Sequence, residues 1–283
     1  MISKTVWFVG VMVLCSSAWA PISAAEPVGD LNGDLRVDWL DLQVLAAHWL
    51  ADYREPVYIQ WLGHASVKIW HKDKVVYVDP RNLGTVERDA DLVLVTHSHS
   101  DHYQASTINN LADANAIVVM PTSMSASQWT QRKLAPGETK IVSDVPITAI
   151  PAYNTNKSYH QKSRNWLGYV IEIGGLRIYL AGDTDLTDEM KALTDIDVAF
   201  LPAGGTYTMT ATEAADATHY FKPKLAIPYH YGDIVGNAKD ASTFTALAAV
   251  DVRVMVKNET IFSNDWFEVI DPPTPPVQGG RGR

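Results

Sequence analysis

Three histidines and one aspartate stand close together in the chain, at His97, His99, Asp101 and His102. They closely follow the apolar run 92–95, a pattern typical of a buried strand that ends at the edge of a sheet. Imidazole and carboxylate groups suit Zn²⁺ and neighbouring first-row metals. Because His97 and His99 share one face and the other two side chains point elsewhere, the spacing predicts two adjacent metal positions. The alternative is a solvated polar loop after the strand.

This histidine-rich segment resembles the signature of the metallo-β-lactamase superfamily. The resemblance implies a fold of the mixed α/β class, a four-layer αββα sandwich that carries two divalent metal ions at one sheet edge. It also implies that Asp183, at the end of another predicted strand, bridges both metals. His230 would then complete the second metal together with Asp101 and His102. Zinc is the expected metal, with manganese and iron as alternatives.

The third ligand of the first metal departs from the superfamily's commonest pattern. A histidine usually follows the strand that we predict at 147–151, and this chain has Asn154 there, with His160 further along the same loop. We expect His160 to complete the site, because neutral imidazole binds borderline metals better than a carboxamide does. Asn154 as a weaker ligand and an incomplete site are the alternatives. His64 and Tyr207 are predicted to lie among or beside the ligands, although His64 also fits a turn residue with backbone bonds.

The predicted chemistry is hydrolysis by a metal-activated water. Asp101 is predicted to be catalytic as well as a ligand, by orienting the nucleophile or accepting a proton. Motifs at 62–65, 179–184, 204–209 and 228–232 resemble the ascorbate-6-phosphate lactonase-like hydrolases and, in part, N-acyl-phosphatidylethanolamine phospholipase D. The resemblance implies an ester, lactone or phosphodiester bond in a small molecule, with an anionic substrate as one candidate. A non-heme iron oxidoreductase and a non-catalytic binding module with a degenerate site are the alternatives.

Composition and patterning predict one large domain with appendages. The formal net charge of −9 over 283 residues argues against nucleic acid as a partner. Strands and helices alternate over residues 55–270, the predicted hydrolase domain, with a surface helix expected at 122–134. Residues 271–283 are rich in proline and glycine, which predicts a disordered tail.

The first 25 residues are typical of a secretory signal peptide. Lys4 precedes the apolar run 6–14, and small residues follow it as a cleavage site. The run is too short for a stable membrane span, although an uncleaved anchor is the alternative. Cleavage would remove Cys15, the chain's one cysteine, and would place the mature protein in the periplasm or outside the cell.

Residues 26–54 contain a candidate calcium loop. Its ligand positions recur at every second residue, and an acid stands at the twelfth: Asp30, Asn32, Asp34, Arg36 and Asp41. The segment resembles half of a dockerin, a calcium-dependent module of secreted bacterial enzymes. It lacks the second copy, and Leu35 replaces the expected glycine. A solvated acidic linker is the alternative.

Overall fold

The computed structural model describes residues 29–34, 36–52 and 55–263. Residues up to 52 belong to one compact unit and residues 55–263 to a second. The predicted signal peptide and C-terminal tail lie outside the described residues. Within the described ranges, no helix is long and apolar enough to cross a membrane.

The described part of the first unit contains the predicted calcium loop and helix α1 (Trp39–Asp52). Asp41 lies in the first helical turn, is buried, and accepts hydrogen bonds from the backbone N–H groups of Leu31 and Asp38, each at 2.7 Å. Asp30 accepts a hydrogen bond from the backbone N–H of Gly33 at 2.8 Å. Carboxylates that satisfy backbone donors in this way order a loop and cap a helix. Calcium binding and the dockerin-like assignment stay predictions.

The second unit is built on two seven-stranded sheets. The strands of the first sheet are β1 (Tyr58–Gly63), β2 (Ser66–His71), β3 (Lys74–Val78), β4 (Ala90–Leu94), β5 (Ala112–Pro121), β6 (Thr130–Leu134) and β14 (Thr260–Phe262). Those of the second sheet are β7 (Thr139–Val142), β8 (Val145–Pro151), β9 (Leu167–Ile173), β10 (Leu176–Leu180), β11 (Val198–Pro202), β12 (Leu225–Tyr229) and β13 (Asp251–Val252). The spatial orders are β14-β1-β2-β3-β4-β5-β6 and β13-β12-β11-β10-β9-β8-β7.

Helices cover the outer faces of both sheets. They are α2 (Ala105–Leu111), α3 (Asp188–Lys191), α4 (Ala211–Phe221) and α5 (Ala238–Leu247). Between the sheets lies an apolar core that both supply, for example through Leu92 and Phe200. Ile108 of α2 packs on the first sheet, and Phe244 of α5 packs on the second. These four layers confirm the predicted αββα sandwich.

One predicted element is wrong. The surface helix expected at 122–134 is replaced at its C-terminal part by β6, which pairs in parallel with β5 from Ile117↔Thr130 to Pro121↔Leu134. Only Leu134 of β6 is buried, because this strand lies at the edge of the sheet. Its polar sequence therefore carries little strand periodicity, and pairing with β5 decides its conformation.

The topology brings the carboxyl ends of several strands to one edge of the sandwich. β3, β4 and β5 run parallel in the first sheet, as do β10, β11 and β12 in the second. The histidine-rich segment follows β4, Asn154 follows β8, Asp183 follows β10 and His230 follows β12. The candidate site lies where these ends meet.

Candidate metal centre

The structure brings the seven predicted ligands together in two groups joined by one carboxylate. The first donor group is His97, His99 and His160, and the second donor group is Asp101, His102 and His230, with His64 beside it. The ligand atoms within each group lie within 4.8 Å of one another. Most of these side chains are buried, so polar atoms converge where water has little access.

The Asp183 carboxylate divides its two oxygens between the groups. Oδ1 lies 3.2 Å from Nε2 of His102 and 3.1 Å from Nε2 of His230. Oδ2 lies 3.2 Å from Nε2 of His160 and 3.9 Å from Nε2 of His97. The side chain is 4% exposed. A carboxylate placed in this way can serve two cations at once.

The donors fit metal ions better than they fit one another. The imidazole Nε2 atoms of His102 and His230 face each other at 3.2 Å, and Nε2 of His97 lies 3.2 Å from Nδ1 of His99. Within the described ranges, buried Nε2 of His160 and Oδ1 of Asp183 have no hydrogen-bond partner. Buried polar atoms are normally paired, and converging acceptors are stabilised by a cation between them.

Burial and the neighbouring carboxylates shift the pKa values of His97 and His102 in opposite directions. Burial, reinforced by the neighbouring His102, lowers the pKa of His97 well below its usual value and keeps this imidazole neutral. Burial would also lower the pKa of His102, but the carboxylates of Asp183 and Asp79 outweigh it and raise that pKa. A metal ion bound at Nε2 of His102 would replace a proton there and interact with the same carboxylates.

Asp79 supports the centre and was missed by the sequence analysis as a functional residue. It is 1% exposed and accepts hydrogen bonds from the Thr96 N–H at 2.8 Å and the Thr96 hydroxyl at 2.6 Å. Its Oδ2 lies 2.7 Å from Nδ1 of His102. This contact fixes the ring so that Nε2 points at Asp183. The available signal was an acid directly after β3, the same placement that identified Asp183.

His160 is placed as a metal ligand, and Asn154 is placed to support it. Nε2 of His160 faces Asp183, whereas the Asn154 amide lies on the opposite side of the His160 ring. Oδ1 of Asn154 accepts a hydrogen bond from the His160 N–H at 2.9 Å, and its Nδ2 donates to the carbonyl of Tyr207 at 2.9 Å and to Asp185 at 3.1 Å. Nδ1 of His160 lies 3.2 Å from the same Tyr207 carbonyl. Asn154 and the Tyr207 backbone therefore position His160.

Only the backbone carbonyl of Tyr207 contacts His160, and its side chain packs elsewhere. Its ring packs edge-on against Tyr159, with 4.7 Å between the ring centroids. Trp166, by contrast, lies against the first donor group, with its ring centroid 4.9 Å from that of His97 and 4.8 Å from that of His99. Nothing in the sequence next to Trp166 indicates that contact.

Asp101 and His64 lie beside each other at the second donor group. Oδ2 of Asp101 is 3.1 Å from Nε2 of His64 and 3.8 Å from Nε2 of His230. Burial would raise the pKa of Asp101, but the neighbouring imidazoles of His230 and His64 prevail and lower it. The carboxylate is therefore ionised and held in one orientation, as a ligand or a proton acceptor requires.

Known proteins resemble this chain over the second unit. A family model described as the beta-lactamase superfamily domain matches residues 58–230. A metal-dependent hydrolase of Thermococcus onnurineus is 32% identical over 220 residues, which cover 71% of this chain and 96% of that protein. A crystal structure named as a metal-dependent hydrolase from Parabacteroides distasonis is 33% identical with a TM-score of 0.64. The match covers 72% of this chain and 94% of the chain in that structure. The structure of a metallo hydrolase from Ignicoccus hospitalis is 24% identical with a TM-score of 0.62 and shares the fold. The match covers 76% of this chain and 99% of the chain in that structure.

Proposed function

The chain belongs to the metal-dependent hydrolases of the beta-lactamase superfamily, and we propose that it binds two divalent metal ions and hydrolyses an ester, lactone or phosphodiester bond of a small molecule. The observation that carries this proposal is the divided Asp183 carboxylate. Its Oδ1 faces His102 and His230, and its Oδ2 faces His160. A shared carboxylate between two donor sets is the arrangement that two-metal hydrolytic sites use to fix the separation of their ions.

The first donor group would hold one ion and the second donor group the other, with Asp183 shared. When bound, such ions supply Lewis acidity toward a carbonyl or phosphoryl oxygen and make water a nucleophile near neutral pH. Imidazole and carboxylate donors without a thiolate favour zinc, and they also accept manganese or iron. Asp101 would hold the nucleophile in line and accept its proton, and His64 would hold Asp101 in place through their 3.1 Å contact.

The bond type follows from motifs rather than from the donors. The residues around the site that resemble the lactonase-like branch favour a lactone or another ester, and the partial resemblance to a phospholipase favours a phosphodiester. The N-terminal segment supports export to the periplasm or the medium, where a calcium-loaded loop at 30–41 would be stable. The function of a shared fold depends on the residues around its metals, so substrate choice needs a direct assay.

A chelation and reloading experiment tests the proposal. The metal-loaded protein is assayed on γ-butyrolactone, 4-nitrophenyl acetate and bis(4-nitrophenyl) phosphate, before and after chelation and after reloading with zinc, manganese or iron. We expect hydrolysis of at least one compound that chelation removes and a metal restores. Asp101→Asn should lower kcat by about 100-fold or more if Asp101 carries the proton. Loss of metal together with activity would leave Asp101 only a ligand.

Failure of the loaded protein on all three compounds would contradict the proposal. Bound iron together with consumption of O₂ in the same preparation would instead favour the oxidoreductase alternative. His219→Ala is the control variant, because His219 lies exposed on α4 with its Nε2 3.3 Å from the carbonyl of Leu247. It should behave like the parent protein.

A further inference from the structure

A polar cavity of about 370 Å³ lies beside the first donor group. Four serines line it: Ser98, Ser123, Ser125 and Ser163. Tyr103, Arg164 and Trp166 also line it. None of the aspartates or glutamates in the described ranges contributes to its wall. Hydroxyl-bearing residues, one arginine, one tryptophan and Met124 therefore surround the space.

The cavity and the candidate metal centre share a wall. Trp166 lines the cavity and also contacts the first donor group, with its ring centroid 4.8 Å from that of His99 and 5.5 Å from that of His160. Ser98 lines the cavity from within the histidine-rich segment itself. The cavity therefore lies next to the first donor group, with the Trp166 ring between them.

Among the described residues that line the cavity, Arg164 alone carries a charged side chain. Its guanidinium carbon lies 5.7 Å from the centroid of the Trp166 ring, within the range of a cation–π contact. No carboxylate in the part of the chain that the structure describes forms an ion pair with it. The two lysines of the same loop differ, since Lys157 pairs with Asp185 at 2.6 Å and Lys162 pairs with Glu189 at 2.9 Å. The Arg164 charge is left available for a ligand.

His160 of the first donor group and Arg164 of the cavity lie on one loop, between β8 and β9. His160 precedes a short 3-10 turn, Lys162–Arg164, that is held by a hydrogen bond from the Arg164 N–H to the Gln161 carbonyl at 2.9 Å. Asn165 then takes a left-handed conformation with φ 53°, and Trp166 returns the chain to β9. The same loop therefore places His160 beside Asp183 and Arg164 over the indole.

We propose that this cavity binds an anionic group of the substrate, a carboxylate or phosphate remote from the bond that is cleaved. The inference rests on the proposed function and names its substrate class. A guanidinium offers two parallel N–H donors to either anion, and charge-assisted hydrogen bonds of this kind are among the strongest in proteins. The serine hydroxyls supply further donors, and the indole packs against the part of the substrate between the anion and the metals.

Equilibrium binding tests the anion site without any hydrolysis. Inorganic phosphate and glutarate are titrated by calorimetry into the full-length, metal-loaded protein and into Arg164→Gln, Arg164→Lys and Arg132→Gln. Arg132 is the matched control, since it is exposed and donates only to the carbonyl of Gln131. We expect Arg164→Gln to weaken binding of at least one anion by about 10- to 100-fold, Arg164→Lys to weaken it less, and Arg132→Gln to leave it unchanged.

The comparison of the two anions distinguishes a phosphate-bearing substrate from a carboxylate-bearing one. Anions held by the metals alone would bind the Arg164→Gln variant as tightly as the parent, and that result would overturn the inference. Absence of binding of both anions to the parent protein would overturn it as well.

A pair of esters separates this inference from the proposed function. We compare kcat/KM for neutral 4-nitrophenyl acetate with that for the 4-nitrophenyl monoester of glutaric acid, which carries a free carboxylate. The parent should prefer the anionic ester, and Arg164→Gln should remove about 10- to 100-fold of that preference, chiefly through KM. An equal loss on both esters would assign Arg164 a structural role and contradict the inference. Arg164-dependent anion binding without hydrolysis of either ester would contradict the proposed function and retain the anion site.

Discussion

At the scale of single residues, three histidines of the centre, His97, His102 and His160, are oriented by contacts on the far side of their rings. Nδ1 of His102 meets Asp79 at 2.7 Å, and Nδ1 of His97 lies 2.9 Å from the Thr96 hydroxyl. His160 is held in the same way by the Tyr207 carbonyl. Such contacts select one tautomer and leave the other nitrogen free for a metal. The geometry of the donors therefore depends on residues that no metal would touch.

Replacement of the carboxylate behind His102 tests this dependence. Asp79→Asn should weaken metal binding at the second donor group by about 10- to 100-fold, because the amide supports the wrong tautomer as readily as the right one. It should also lower the free energy of unfolding by about 1–3 kcal/mol, since the buried Thr96 donors lose a charged acceptor. Metal titration in competition with a chelator and urea unfolding measure the two effects.

The control for this variant is Asp73→Asn, which changes an exposed aspartate in the turn between β2 and β3. It should leave both quantities near those of the parent. An Asp79→Asn protein that binds two metals as tightly as the parent would show that the contact with His102 does not orient a ligand.

At the scale of elements, strand ends supply most donors and one loop supplies the rest. His230 directly follows β12, and Asp183 closely follows β10. Both strands are parallel members of the second sheet, so the sheet fixes the positions of the two residues. His160 instead lies in the loop between β8 and β9, which buried Asp185 holds. Asp185 accepts hydrogen bonds from the Thr155 N–H at 2.8 Å and from the Lys157 ammonium at 2.6 Å. Side-chain hydrogen bonds to Asp185 therefore help to hold this loop in place.

Asp185→Asn should loosen the loop and affect only one of the two metals. The amide places N–H donors toward Lys157 and the Thr155 N–H, so the variant should lose about 1–3 kcal/mol of unfolding free energy. Zinc titration in competition with a chelator should show weaker binding at the first donor group and unchanged binding at the second. Asp188→Asn is the matched control, because the Asp188 side chain is 94% exposed. Equal weakening of both metals in Asp185→Asn would contradict this account of the loop.

Prediction from sequence succeeded where the signal is local and failed where it is not. The apolar run of β4 and the donors after it predicted a sheet-edge site, because period and residue type lie within a few positions. The polar edge strand β6 was predicted as a helix, because its conformation depends on pairing with β5. Asp79 and Arg164 gained their roles from contacts with Thr96 and Trp166, and such contacts are set by the packed fold.

At the scale of the whole molecule, the centre exists only when the two sheets are packed. His97 and His102 follow a strand of the first sheet, whereas Asp183 and His230 follow strands of the second. The interior between the sheets is apolar, so its burial brings the two sets of donors into contact. Ligands drawn from both sheets bind metal only in the folded state, so metal binding adds to stability.

The central claim is that this centre holds two metal ions that share Asp183. Its most direct test is elemental analysis of the protein purified without chelators, in parallel with His160→Ala and with His219→Ala as control. We predict two ions per chain in the parent and in His219→Ala, and one ion in His160→Ala. One ion or none in the parent, or two ions retained in His160→Ala, would contradict the account.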